Sequence, residues 1–168
     1  MDCVYHYSSP FGGMTMAGCG DALTGLWFDD QRFFGEGMSG ISAEGHLPVF
    51  EETVLWLNEY FSGRIPPPPP RALLRGTPYR RAVWDVLTSI PYGQTITYSR
   101  AAKEAARRLG TVPCPRAAGA AAGHNPILLI IPCHRLIGAG GRMTGYAAGI
   151  DRKIRLLEME KNVSGSAR

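Results

Sequence analysis

Five consecutive prolines, Pro66 to Pro70, constrain this 168-residue chain more than any other feature. A proline run supplies no backbone N–H and fixes φ, so it can be neither a helix nor a central strand. The stretch 66–76 is therefore expected to be an extended, semi-rigid linker. Charge flips across it. Residues 1–70 carry two basic side chains (Arg32, Arg64) and nine acidic ones, a balance of −7; the remainder balances to +11. The division expected is an N-terminal domain at 1–65, a C-terminal domain at 77–162 and a disordered tail at 163–168. The basic half, whose cations are mostly arginine, is suited to a polyanion.

Residues 3–8, 14–17 and 23–28 are short, β-prone and separated by glycines, which predicts a small antiparallel sheet. Val49, Phe50, Val54, Leu57 and Phe61 recur at helical spacing, with Gly63 as a stop. No chemistry is evident in this half. After the prolines, Thr77-Pro78 is a helix start of the capping-hydroxyl-then-proline kind. Ser99 is expected to cap a helix running to Leu109. A small-residue helix should follow from Arg116 to Gly123. The apolar run Ile127–Ile131 reads as a buried strand, Gly138–Gly141 as a hairpin turn, and Asp151 as the cap of a last helix. Two helices joined by a turn, the second rich in Ala and Gly, fit a helix-turn-helix, although small residues serve equally for packing one helix on another. The whole is an α+β chain: an N-terminal sheet plus helix, then a mostly helical C-terminal domain.

Pro132-Cys133-His134-Arg135 closes the apolar run. A buried thiol is the bland reading. Against it, cationic neighbours lower a thiol pKa, and a nucleophilic Cys needs a base with an orienting group behind it. His134 is the nearest base. Neighbouring side chains of extended chain diverge, so a water is expected to link His134 to the thiol.

Together with Gly123-His124-Asn125-Pro126, Gly145-Tyr146, Val83-Trp84, Ile90-Pro91-Tyr92-Gly93 and Tyr98, this motif resembles the O6-alkylguanine-DNA alkyltransferase family. Ser9-Pro10-Phe11-Gly12 and Leu26-Trp27-Phe28 resemble that family's N-terminal domain. The resemblance implies Cys133 as the alkyl acceptor, His134 as base, Glu160 as its orienting acid, Asn125 as a brace and Tyr98 as a donor to the guanine ring. It further implies that Tyr146, Ala147 and Ala148 wall the substrate pocket. Ala147 and Ala148 stand where relatives often carry a hydroxyl or something larger. Arg116 would fill the stack left by a flipped base, and Ala117, Ala118, Ala121 and Arg135 would lie at the DNA. The partner implied is duplex DNA containing O6-alkylguanine, used by a monomer in a single suicide turnover.

No methyl-donor cofactor is needed, because the alkyl group comes from the DNA. Cys3, His6 and Cys19 do not complete a four-ligand zinc set, so no metal is expected. Cys114 is read as incidental, His46 as a surface residue and His124 as a turn residue. No apolar run reaches membrane-spanning length and no secretory leader is evident, so a cytoplasmic location with reduced thiols is expected. Two competing classes predict different behaviour. A cysteine hydrolase would turn over without DNA, and a non-enzymatic lesion binder would not need Cys133.

Overall fold

The computed structural model describes residues 2–40 and 43–166. It divides into two compact units, Met1–Arg75 and Gly76–Arg168.

The first unit is a sheet with one helix on it. Strands β1 (Cys3–Ser9), β2 (Gly12–Cys19) and β3 (Ala22–Phe28) form an antiparallel meander. The short strand β4 (Ala43–Glu44), which the sequence pattern did not signal, adds parallel to β1, giving the order β3-β2-β1-β4. Ser9 closes the first turn by donating its hydroxyl to Gly12 O at 2.6 Å and accepting from Phe11 N at 3.1 Å. At Gly25 a Cβ would lie 1.8 Å from the Trp27 ring, so only glycine lets the indole fold back along β3. Helix α1 (Pro48–Phe61) buries Val49, Phe50, Trp56, Leu57 and Tyr60; the core it shares the unit with includes Met14, Met16, Leu23 and Leu26.

The proline segment is held to this unit. Trp56 Nε1 donates to Pro67 O at 3.0 Å. Leu23 N donates to Arg71 O and Leu73 N to Leu23 O, both at 2.8 Å. Residues 71–73, expected as linker, thus run beside β3. The pattern could not show this, because one β-bridge leaves no periodicity.

The second unit contains α2 (Pro78–Thr88), β5 (Ile96–Thr97), α3 (Tyr98–Leu109), α4 (Pro115–Gly123), β6 (Leu136–Ile137) and α5 (Ile150–Ser166). Thr77 caps α2, accepting from Arg80 N at 3.2 Å. The cap of α3 is Thr97, accepting from Arg100 N at 3.2 Å; the expected cap, Ser99, lies inside the helix. Thr97 has the role because β5 runs straight into α3, and its extended backbone aims the hydroxyl at the first turn. Gly110, at φ 66°, ends α3, and α4 begins after four intervening residues. Two helices joined by a short turn thus follow one another, in the order expected.

Three further expectations change. Residues 127–131 are not a strand. Ile131 N donates to Ile127 O at 3.0 Å and Leu129 has φ 70°, so the run folds back on itself. A buried apolar pentapeptide looks the same in sequence whether extended or folded. Gly138–Gly141 turns the chain back, Gly138 N donating to Arg142 O at 2.8 Å, but residues 139–141 form a 3-10 turn and no strand follows to pair with β6 among the described residues. Helix α5 begins at Ile150, so Asp151 lies in its first turn. It continues through Ser166, past the expected end of the domain at 162, while 167 and 168 lie outside the described residues.

Pairing of Ile96 with Leu136 and of Thr97 with Ile137 does the positioning. It sets the start of α3, and so Tyr98, beside the strand that leaves the Cys133 turn.

Candidate active site

Cys133 opens a 3-10 turn of three residues, Cys133–Arg135, entered through Pro132. It is 5% exposed. Asn125, in the turn after α4, uses its whole side chain to build the thiol's seat. Its Nδ2 donates to Ile131 O at 2.7 Å and to Cys133 Sγ at 3.2 Å, and its Oδ1 accepts from Ile127 N at 2.9 Å. One buried amide therefore closes the 127–131 fold and touches the sulfur. Among the described residues the side-chain hydrogen bond to the thiol comes from Asn125, not from His134. Successive side chains of a 3-10 turn also diverge, so the chain geometry differs from the extended one expected, yet separates the two residues in the same way.

His134 is fully buried, and its Nε2 lies 2.7 Å from Glu160 Oε1. Glu160 also accepts from Arg135 Nε (2.9 Å) and Nη2 (3.0 Å) and from Gly93 N (3.2 Å). Burial alone would raise this carboxyl, but its bonds to His134 and Arg135 outweigh that and hold it down at about 2. An ionised carboxylate only accepts. Nε2 therefore carries the proton, and Nδ1 is the basic nitrogen of the neutral ring. Burial holds the imidazole below its usual range, with Glu160 opposing.

Burial pushes the Cys133 thiol up to about 11, although Asn125, Lys153 and backbone N–H groups favour the thiolate. The sequence expectation was the reverse, a thiol made acidic by its neighbours. It fails because those cations are spent. His134 is neutral, and Arg135 is paired with Glu160 and donates Nη1 to Ile90 O at 2.8 Å. The resting site thus holds a protonated nucleophile near a neutral base. Ionisation has to accompany reaction.

Tyr98 and Tyr146 flank this centre. The Tyr98 hydroxyl donates to Thr144 O at 2.6 Å, and a Cβ at Gly119 of α4 would lie 3.4 Å from its ring. The Tyr146 ring meets His134 edge-on, centroids 6.5 Å apart, and its buried hydroxyl has no hydrogen-bond partner among the described residues. Ala147 is half-buried, while Ala148 is buried, its carbonyl accepting from Arg152 Nη1 at 3.1 Å.

Arg116 is exposed in the first turn of α4, with Ala120 exposed one turn on and Ala117 half-buried. Ala118 and Ala121, expected at the DNA, instead face the interior at 0% and 3% exposure. Trp84 Nε1 donates to Ala121 O at 2.9 Å, which fixes that face inward. Arg135 is likewise no surface cation, since its guanidinium closes on Glu160 and the Tyr92 ring.

Sequence reasoning missed Lys153, which is 0% exposed beside this site. The signal was available: 153, 156, 157 and 160 recur at the helical period, and all four are buried. Among the described residues no three His, Cys, Asp or Glu side chains gather as a metal site would, and no helix is long and apolar enough to cross a membrane.

Two family models match the chain. One, described as the 6-O-methylguanine DNA methyltransferase DNA-binding domain, spans 78–162; the other, that family's ribonuclease-like domain, spans 4–67. The methylated-DNA–protein-cysteine methyltransferase of Mycobacterium bovis is 42% identical over 160 residues, covering 94% of this chain and 93% of its own. The crystal structure of Mycobacterium tuberculosis O6-methylguanine methyltransferase superposes with a TM-score of 0.80 at 41% identity, covering 96% of this chain and 94% of that one. Mycobacterium tuberculosis OGT in complex with DNA gives 0.82 at 40% identity, covering 95% and 93%. With both halves matched in order, the chain belongs to the methylated-DNA–protein-cysteine methyltransferase family.

Proposed function

We infer that this protein repairs alkylated DNA by moving the alkyl group from O6-alkylguanine onto its own Cys133. The observation that carries the reading is the joined constellation behind the thiol: Asn125 Nδ2 at 3.2 Å from Sγ, and His134 held by Glu160 at 2.7 Å. A seated cysteine with an oriented base is what nucleophilic displacement needs. The methyltransferase activity for which the Mycobacterium bovis relative is named agrees with it, and the DNA complex of the Mycobacterium tuberculosis relative supports DNA as partner.

The sulfur attacks the O6-alkyl carbon. A C–S bond forms as the C–O bond breaks, and its electron pair returns to the guanine oxygen. The thiol proton passes through a water to His134 Nδ1; the guanine anion released takes up one proton at its ring nitrogen from water, and the imidazolium returns its proton to water, so that the net change moves the thiol proton onto guanine. Glu160 stabilises the imidazolium as it forms. At 5% exposure Cys133 cannot meet a base stacked in a duplex, so the lesion must swing out to it. Arg116, exposed at the start of α4, is placed to enter the space left behind. Tyr98 donates to the flipped ring once its hydroxyl turns from Thr144 O, and Tyr146 walls the pocket. The thioether product is a poor leaving group, so each molecule acts once, as a monomer.

Intact-mass measurement after incubation with an O6-methylguanine duplex tests this. One methylene should be added to the peptide carrying Cys133, saturating at one per chain, and none to Cys133→Ala. Continued turnover, or no mass gain, would overturn it.

A further inference from the structure

Lys153 lies in the first turns of α5 with no exposed surface, and no carboxylate lies within ion-pair distance of it among the ion pairs described. Its Nζ donates to three carbonyl oxygens: Leu136 O at 2.5 Å, Thr144 O at 2.9 Å and Gly145 O at 3.2 Å. An ammonium has three protons, so its donor capacity is full. Leu136 belongs to β6, which leaves the Cys133 turn directly. Thr144 and Gly145 end the loop that runs from β6 to Tyr146. Tyr98 shares both loop acceptors, at 2.6 Å from Thr144 O and 3.4 Å from Gly145 O. The lysine sits beside that phenol, Nζ 5.8 Å from the ring centroid. The fit is close, since a Cβ at Gly145 would lie 3.2 Å from the Tyr98 hydroxyl.

Burying a cation is expensive, and an apolar side chain of similar volume commonly fills such a place with no loss of stability. Desolvation lowers this ammonium to about 8, which reports that expense. Retaining a lysine here therefore needs a reason other than packing.

We propose that Lys153 is a positioning residue for alkyl transfer: its ammonium ties the 138–145 loop to the strand that follows Cys133, and thereby fixes Tyr98 and Tyr146 relative to the thiol. The part played in transfer rests on the alkyltransferase reading; the tie itself does not. Where the tie is lost, the loop and the two tyrosines drift from the sulfur, and misplacement on the scale of 1 Å slows a positioned reaction far more than it weakens binding.

The test uses the full chain with Lys153→Met, Lys153→Gln and Lys153→Arg. Three readouts are taken: amide exchange across 138–146 without DNA, the single-turnover transfer rate at saturating O6-methylguanine duplex, and duplex affinity. The Met and Gln variants should exchange those amides about tenfold faster or more, while α2 to α4 keep their protection. Their transfer should slow at least about tenfold with affinity held within roughly threefold, and Arg, which keeps the charge and the donors, should recover most of both. If Met fails to fold, Gln carries the test, since it fills the site without the charge. Unchanged loop exchange overturns the proposal. So does a loss of rate that follows affinity or bulk stability and is not recovered by Arg. If the wild-type protein transfers nothing, the alkyltransferase reading fails, and the loop exchange still decides the tie.

Discussion

Glu160 joins three segments, and replacing it with Gln should show how much the site depends on one charge. The carboxylate accepts from His134, from two nitrogens of Arg135 and from Gly93 N, all at 3.2 Å or less. Glu160→Gln keeps the volume and leaves the buried Arg135 guanidinium without its counter-ion. Breaking one side of such a pair destabilises by about 3–5 kcal/mol. A second route gives a similar figure. The carboxyl drops from 4.5 to about 2 on folding, and at about 1.4 kcal/mol per unit this is worth roughly 3 kcal/mol. The sign follows from a folded-state value below the unfolded one. The contribution is complete above pH 4.5 and is lost as pH falls toward 2. Urea denaturation at neutral pH should therefore show Glu160→Gln weaker by about 3–5 kcal/mol, a fall in Tm of roughly 10 °C for a chain of this size. Its acid sensitivity between pH 4.5 and 2 should be correspondingly shallower than that of the wild type. The double variant Glu160→Gln, Arg135→Met removes both charges and should regain much of the stability, but not alkyl transfer, because His134 still lacks its carboxylate. A single variant within about 1 kcal/mol of wild type, or a double variant that regains transfer, would refute the reasoning.

Leu129→Gly relieves a left-handed residue at φ 70° but deletes a side chain only 1% exposed. The strain is worth about 1–2 kcal/mol and the burial loss about 2–5 kcal/mol, so thermal unfolding should report net destabilisation. Thr97→Ala should cost about 1 kcal/mol by removing the cap of α3, whereas Ser99→Ala should stay within about 0.5 kcal/mol; equal effects would return the cap to Ser99. Arg116→Ala should slow repair of duplex more than of single strands, because only a duplex has a stack to refill. Equal losses in single-turnover assays would reject that role.

Much of this architecture was legible in the chain. β-prone composition and glycine spacing marked the three long strands, and Thr77-Pro78 marked α2 to the residue. Candidate site residues could be named from motif order, which predicts company but not orientation. Ala118, Ala121 and Arg135 illustrate the gap. Each belongs to a motif segment expected at the DNA, but which face of a nine-residue Ala/Gly helix turns inward depends on partners such as Trp84, far off in sequence. The 127–131 fold was illegible for a related reason: the amide that closes it comes from Asn125, and apolar runs carry no mark of their own curvature. Lys153 escaped because lysine is read as solvent-exposed by default, even on the buried stripe of a helix.

The order of elements along the chain gives the buried thiol a history. Cys133, His134 and Arg135 are synthesised together, and the acid that pairs with His134 and Arg135 follows 26 residues after His134. In the unfolded chain the cysteine is an unburied thiol beside two basic side chains without their acid, the setting that favours indiscriminate chemistry with oxidants and electrophiles. Folding reverses that. Burial of the sulfur raises the thiol from 9.0 to about 11, which cuts the resting thiolate by roughly a hundredfold. Completion of the fold thus acts as a chemical safety catch on a residue that can be used only once.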